Sequence, residues 1–203
     1  LKGKNMAINP GIYAASMSIF NKDLTLDIDS TIIHAEKLIE NGLHGIILFG
    51  STGMAQLISS NEKKKLIYKL KDSKYKDNFV IGTGANALNE NIELINYTLD
   101  IGIDRFLLGV PAYYKFSDDG VFDYFKNLIN KTPKAKIILY NFEKLFNYKF
   151  SIEVVKRLAK EFPEQIVGVK DSSYNLYETL KIPNFLVFPG SETKLLKGLE
   201  LGC

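Results

Sequence analysis

A lysine that closes an apolar run is an unusual placement, and the segment Ile166-Val167-Gly168-Val169-Lys170-Asp171 has one. Apolar surroundings disfavour an ammonium relative to the free amine, so the pKa falls and a nucleophile able to attack a carbonyl carbon results. The product of that attack is a Schiff base. The alternative reading is a lysine that reaches solvent or pairs with neighbouring Asp171. A second run ends in Tyr140-Asn141, where a phenol can carry protons to and from a carbon next to an imine. Core packing is the competing role, since the chain has 11 tyrosines. A third run leads into Gly50-Ser51-Thr52-Gly53. There, two hydroxyls and the backbone N–H groups between glycines can converge on a small anion such as a carboxylate.

Three further turns follow apolar runs. Pro111-Ala112-Tyr113-Tyr114 is a rigid turn with two phenols, read as a pocket lining or as subunit packing. Gly190-Ser191-Glu192-Thr193 is read as a pocket lining or as a simple helix cap. Gly82-Thr83-Gly84-Ala85-Asn86 matches half of a dinucleotide fingerprint and lacks its third glycine. His34 and His44 are far in sequence from paired acids or thiols, so no metal site is expected. The run Glu62-Lys63-Lys64-Lys65 reads as a solvated helix face.

The elements that must carry these residues alternate. Seven apolar runs read as strands: Gly11–Met17, Gly45–Gly50, Phe79–Gly84, Arg105–Val110, Lys136–Asn141, Ile166–Asp171 and Phe185–Gly190. Their hydrophobicity is continuous, as in a parallel sheet buried on both faces. Between them lie stretches with helical spacing. Ile28, Ile32, Ala35 and Ile39 precede Gly42, and Ile92, Ile95 and Leu99 precede Gly102. Ser59 with Glu62 has capping-box spacing, and Ser117 and Ser151 fit N-cap positions. No composition break divides the chain, so residues 1–203 are expected to form a single α/β domain. Seven strand-helix units fall one short of an eight-stranded (β/α)8 TIM barrel, so the expected fold is that barrel stopping before strand eight. An open seven-stranded sheet is the alternative.

Composition removes other classes. The 26 basic and 23 acidic residues are mixed along the chain, which argues against a nucleic-acid partner. No apolar run approaches the length of a bilayer span, so no membrane is expected. Lys2 and Lys4 precede an apolar stretch, but Asn9, Pro10 and Gly11 interrupt it, unlike a signal-peptide core. The single cysteine, Cys203, allows neither an internal disulfide nor a cysteine metal cluster, and a cytoplasmic setting is expected.

Taken in order, Gly-Ser-Thr-Gly after strand two, Pro-x-Tyr-Tyr after strand four, Tyr-Asn ending strand five and Gly-x-Lys-Asp in strand six resemble one family. It is the dihydrodipicolinate synthase and N-acetylneuraminate lyase family, class I pyruvate-dependent aldolases on a (β/α)8 barrel. The resemblance runs from Gly11 to Cys203. It implies that Lys170 forms the Schiff base with pyruvate or another 2-oxo acid and that Tyr140 shuttles protons. It also implies that Ser51, Thr52 and Gly53 hold the carboxylate and that Tyr113 reaches across a subunit interface of a dimer or tetramer. Gly190, Ser191 and Glu192 would face an aldehyde, and no cofactor is implied.

Departures narrow the choice. Met54 stands where most members carry glutamate, Glu143 where a proline is usual, and Leu145 where the synthases carry the arginine that binds the semialdehyde carboxylate. Gly190-Ser191-Glu192-Thr193 is similar to the Gly-Ser-x-Thr of 2-keto-3-deoxygluconate aldolases, whereas Gly82-Thr83-Gly84-Ala85-Asn86 is closer to the synthases. The expected activity is therefore cleavage of a 2-keto-3-deoxy sugar acid to pyruvate and an aldehyde. Dihydrodipicolinate synthase and N-acetylneuraminate lyase are the alternatives within the family. A barrel that binds a 2-oxo acid without turnover is the alternative outside enzymes.

Overall fold

The computed structural model describes residues 8–203, so Lys2 and Lys4 lie outside the described residues. The chain divides into two compact units, Asn9–Leu107 and Leu108–Cys203 with Ile8.

The first unit runs β1 (Tyr13–Ala15), α1 (Ile28–Glu40), β2 (Gly45–Leu48), α2 (Ser60–Lys69), β3 (Phe79–Gly82), α3 (Leu88–Asp100) and β4 (Arg105–Leu108). Its strands pair in parallel and in chain order, with Ala14 beside Ile46, Ile47 beside Val80 and Ile81 beside Phe106. Every residue of β2 and β3 is buried. That accounts for their unbroken hydrophobicity, because a parallel strand covered on both faces has no solvent side on which to place a polar residue.

The second unit runs α4 (Asp118–Lys131), β5 (Lys136–Asn141), α5 (Glu143–Phe146), α6 (Ile152–Glu161), β6 (Ile166–Asp171), β7 (Leu186–Pro189) and α7 (Leu195–Glu200). Strands β5, β6 and β7 are parallel neighbours in that order. Neither unit reverses its strand order, as a doubly wound sheet must. The fold class is the expected (β/α) barrel, and seven of its strands lie among the described residues.

All seven expected strands form, and most are a residue or two shorter than the apolar runs. Strand β2 stops at Leu48 because Phe49 turns to a φ of 57°, outside the extended region. The caps lie where the sequence puts them. Ser117 Oγ accepts from the Gly120 N–H and Ser151 Oγ from the Val154 N–H, at 3.2 and 3.1 Å. Gly42 and Gly102 take φ of 101° and 88° just beyond α1 and α3, where a side chain would be strained. At α2 the capping box is complete: Ser59 Oγ accepts from the Glu62 N–H at 3.2 Å and Glu62 accepts from the Ser59 N–H at 3.1 Å. Ser59→Ala is expected to cost about 1 kcal/mol, measured as a lower Tm in thermal unfolding. The α5 turn has no counterpart in the sequence reading, being too short to show a period.

Candidate active site

The two residues expected to do chemistry are brought together by an irregularity in the sheet. Ile137 pairs with Ile166, but Ile138 pairs with Gly168, so β6 carries one extra residue at Val167. From there the register runs Leu139 beside Val169, Tyr140 beside Lys170 and Asn141 beside Asp171. Without the extra residue Tyr140 would lie beside Val169. Bulges of this kind re-aim side chains near the ends of strands. Gly168 is required at the bulge, because a Cβ there would stand 2.7 Å from the Leu186 carbonyl oxygen.

Lys170 is buried, with 9% of its surface exposed. Its Nζ stands 4.7 Å from the centroid of the Tyr140 ring, and Phe188 of β7 flanks it in register on the other side. Burial alone lowers its pKa from 10.5 to about 8. At neutral pH about one amine in ten is then neutral, against fewer than one in a thousand for an ordinary lysine. Tyr140 is 5% exposed and packed by Phe142 and Phe146, the latter edge-on with ring centroids 5.4 Å apart. Phe146 in turn fills the space left by Gly109, where a Cβ would fall 2.5 Å from its ring.

Asp171 does not serve as the counter-ion considered from the sequence. Its Oδ1 accepts from Asn141 Nδ2 at 2.7 Å and from the Tyr174 N–H at 2.9 Å. Its Oδ2 accepts from the N–H groups of Leu176 and Tyr177 at 2.8 and 2.9 Å. Asn141 also donates to Asn175 Oδ1 and accepts from the Phe150 N–H, while Asn175 Nδ2 donates to the Phe150 carbonyl. This buried network was not read as functional from the sequence. Its signal was a polar residue directly after each of the two chemical residues, on the opposite face of the sheet.

The turn after β7 meets the same strand end. Gly190 donates its N–H to the Asp171 carbonyl at 2.9 Å, and a Cβ on Gly190 would fall 2.1 Å from Ser172 Oγ. Ser191 Oγ accepts from the Thr193 N–H at 3.3 Å, so it acts as the cap of a short helical turn, and Glu192 is exposed. Tyr113 is 83% exposed at a φ of 85° and its ring packs edge-on against Tyr114. Its aromatic contact is thus with its own turn, whereas Tyr140 packs with Phe142 and Phe146.

In the first unit, the Ser51-Thr52-Gly53 turn is held by the Met54 N–H to the Ser51 carbonyl at 3.0 Å and by Ser18 Oγ to the Gly53 carbonyl at 2.7 Å. Thr52 is exposed, and Gly53 is buried where a Cβ would stand 2.9 Å from the Ser16 carbonyl. The left-handed positions are Phe49 and Met54, and of the two glycines of the turn it is Gly53 that supplies close approach. Lys63, read as part of a solvated face, is buried and donates to the Thr83 carbonyl at 2.7 Å; burial lowers its pKa to about 8. Gly82 is explained by packing, since a Cβ there would fall 2.2 Å from the Phe49 carbonyl oxygen. Among the described residues no group of three or more His, Cys, Asp and Glu could hold a metal ion, and no helix is long and apolar enough to cross a membrane.

The chain resembles known proteins in both sequence and fold. The sequence pattern of the dihydrodipicolinate synthetase family matches residues 9–203. The chain belongs to this family. It is 31% identical over 199 residues to a 4-hydroxy-tetrahydrodipicolinate synthase of Methanothrix thermoacetophila, covering 95% of this chain and 66% of that protein. A second synthase, from Hydrogenobaculum, is 33% identical over 170 residues, which are 81% of this chain and 58% of the relative. The chain therefore spans less than two thirds of the length of these relatives. Among solved structures, dihydrodipicolinate synthase from Agrobacterium tumefaciens superposes with a TM-score of 0.88 at 31% identity, covering 95% of this chain and 70% of that one. A 2-keto 3-deoxygluconate aldolase from Picrophilus torridus gives 0.87 at 27% identity, covering 95% and 71%. A prophage protein of the same family from E. coli K12, solved in complex with pyruvate, gives 0.85 at 30% identity, covering 95% and 67%.

Proposed function

We propose that this family member is a class I lyase whose Lys170 forms a Schiff base with pyruvate or a related 2-oxo acid. The observation that carries the reading is the buried Nζ of Lys170 over the Tyr140 ring, with no acid among the described residues paired to hold it as an ammonium. The neutral amine adds to the ketone carbon, and the carbinolamine loses water to give a protonated imine. That imine accepts the electron pair of the bond between its neighbouring carbon and the hydroxyl-bearing carbon beyond, which breaks to leave an enamine while the hydroxyl-bearing carbon departs as an aldehyde. Protonation of the enamine and hydrolysis return pyruvate and the free lysine. Tyr140 relays the proton from the substrate hydroxyl. The 2-oxo-acid carboxylate is assigned to Ser51 and Thr52 on the chemistry of their turn, and Tyr113 to a contact between copies in a dimer or tetramer.

For the second substrate we favour a 2-keto-3-deoxy sugar acid. Leu145, 41% exposed on the turn after β5, offers no charge to a second carboxylate. The synthase reading stands second, favoured by the names of the curated relatives. Borohydride reduction with pyruvate is expected to leave a covalent adduct on the peptide containing Lys170, detected by mass spectrometry. Failure to trap that adduct in folded protein overturns the reading. Pyruvate release from 2-keto-3-deoxygluconate, assayed beside condensation with aspartate semialdehyde, separates the two substrates. Turnover of the semialdehyde alone would reverse the preference drawn from Leu145.

A further inference from the structure

The bulge at Val167 creates a problem that the sheet must solve. Lys170 meets Tyr140 only in the shifted register, and a slip of one residue would put Val169 beside the phenol and turn the lysine to a different neighbour. Backbone pairing alone discriminates weakly between the two registers. The side chains one position further along do discriminate. Asn141 and Asp171 are in register and share a hydrogen bond of 2.7 Å, and both are fully buried.

We infer that Asp171 and Asn141 act as a register lock, positioning residues that hold Lys170 against Tyr140 without touching the substrate. The inference rests on the imine reading of Lys170. Four donors converge on the Asp171 carboxylate, one from β5 and three from the turn after β6. The carboxylate thereby ties the end of β5, the end of β6 and residues 174–177 into one body. Asn141 is anchored separately through its Oδ1 to the Phe150 N–H and through Asn175, which reaches the Phe150 carbonyl. A slipped register would break both bonds that Asn141 Nδ2 makes across the strands, to Asp171 and to Asn175, leaving a buried amide without its acceptors, and that cost selects the bulged pairing. The lock also reaches β7, because Gly190 bonds to the Asp171 carbonyl.

The lock predicts a split between two measurements on the full chain. In Asp171→Asn an amide NH2 replaces one oxygen, so either Leu176 and Tyr177 or Asn141 and Tyr174 face a donor instead of an acceptor. Lys170 remains able to form the imine, so the borohydride adduct at saturating pyruvate is expected within about threefold of wild type. Deuterium exchange at the pyruvate methyl group, which requires the aligned proton relay, is expected to slow about 100-fold, the scale of a misplacement near 1 Å. Val155→Ala, a buried change in α6, serves as a stability control; it lowers Tm and leaves the exchange rate unchanged. If Asp171→Asn does not fold, Asn175→Ala removes one partner of Asn141 at the exposed end of the network and is expected to slow exchange about tenfold. Exchange within threefold of wild type in folded Asp171→Asn, or in Asn175→Ala where the first does not fold, overturns the lock. Absence of both adduct and exchange in the wild type instead overturns the imine reading, and the lock with it.

Discussion

Lys170→Met is expected to abolish turnover and the borohydride adduct together, and to leave a more stable protein. The activity loss has a simple origin. Without the amine there is no imine, hence no electron sink, and the carbon–carbon bond keeps close to its uncatalysed barrier; the expected loss in kcat exceeds about 10⁴-fold. The gain in stability follows from the same burial that makes the amine reactive. Holding the Lys170 pKa at about 8 against 10.5 in the unfolded chain means that folding at neutral pH places an ammonium in surroundings that disfavour it. The cost is about 3 kcal/mol on an order-of-magnitude scale. Its sign is fixed by which state binds the proton more tightly. Below about pH 8 both states are protonated and the penalty is complete; between pH 8 and 10.5 the folded state sheds its proton first, and the penalty fades. Methionine has a similar length and no charge, so the variant should unfold at a higher temperature than wild type at pH 7, with the difference closing above pH 10.5. In the wild type the same titration governs adduct formation, which should rise about tenfold per pH unit up to pH 8 and then level off. A Lys170→Met protein that still cleaves substrate, or that is less stable than wild type at pH 7, would contradict both halves of the argument.

The strands were legible because burial on both faces leaves no choice of residue, as in β2 and β3, where all eight positions are buried. The caps were legible for an equally local reason, since Ser59, Ser117 and Ser151 each answer donors within three residues. Lys170 and Tyr140 could be singled out because each is a polar group at the end of an apolar run. What the sequence could not show was why they meet. A one-residue bulge leaves no mark except a glycine, and Gly168 is explained only by a Leu186 carbonyl 18 positions away in the chain. Lys63 escaped notice for a related reason. In Glu62-Lys63-Lys64-Lys65 the three lysines look alike, yet helix periodicity turns one of them inward, and its acceptor, the Thr83 carbonyl, lies 20 residues on. Ser191 carried two readings in the sequence, pocket lining and helix cap, and its hydroxyl takes the capping role toward Thr193.

Tyr140→Phe isolates the phenolic oxygen from everything else the residue does. The ring packs edge-on against Phe146, touches Phe142 and presents its face to Lys170 Nζ, and phenylalanine keeps all three contacts. Tyr140→Ala would open a cavity among these rings and confuse lost chemistry with lost packing. With the ring in place, the amine stays desolvated and its pKa stays low, so imine formation should persist and the borohydride adduct should appear at near wild-type yield. Cleavage should not persist. The bond-breaking step needs a group to take the proton from the substrate hydroxyl, and removing a positioned proton carrier costs roughly 10² to 10⁴ in kcat. The expected signature is therefore a protein that loads pyruvate but turns over 2-keto-3-deoxy substrate at least 100-fold more slowly, with KM changed much less than kcat. If Tyr140→Phe cleaves within threefold of wild type, the proton carrier is another group and the bulged register serves packing alone. If the variant fails to form the adduct as well, the phenol acts earlier, in dehydration of the carbinolamine, and the relay begins one step sooner than proposed.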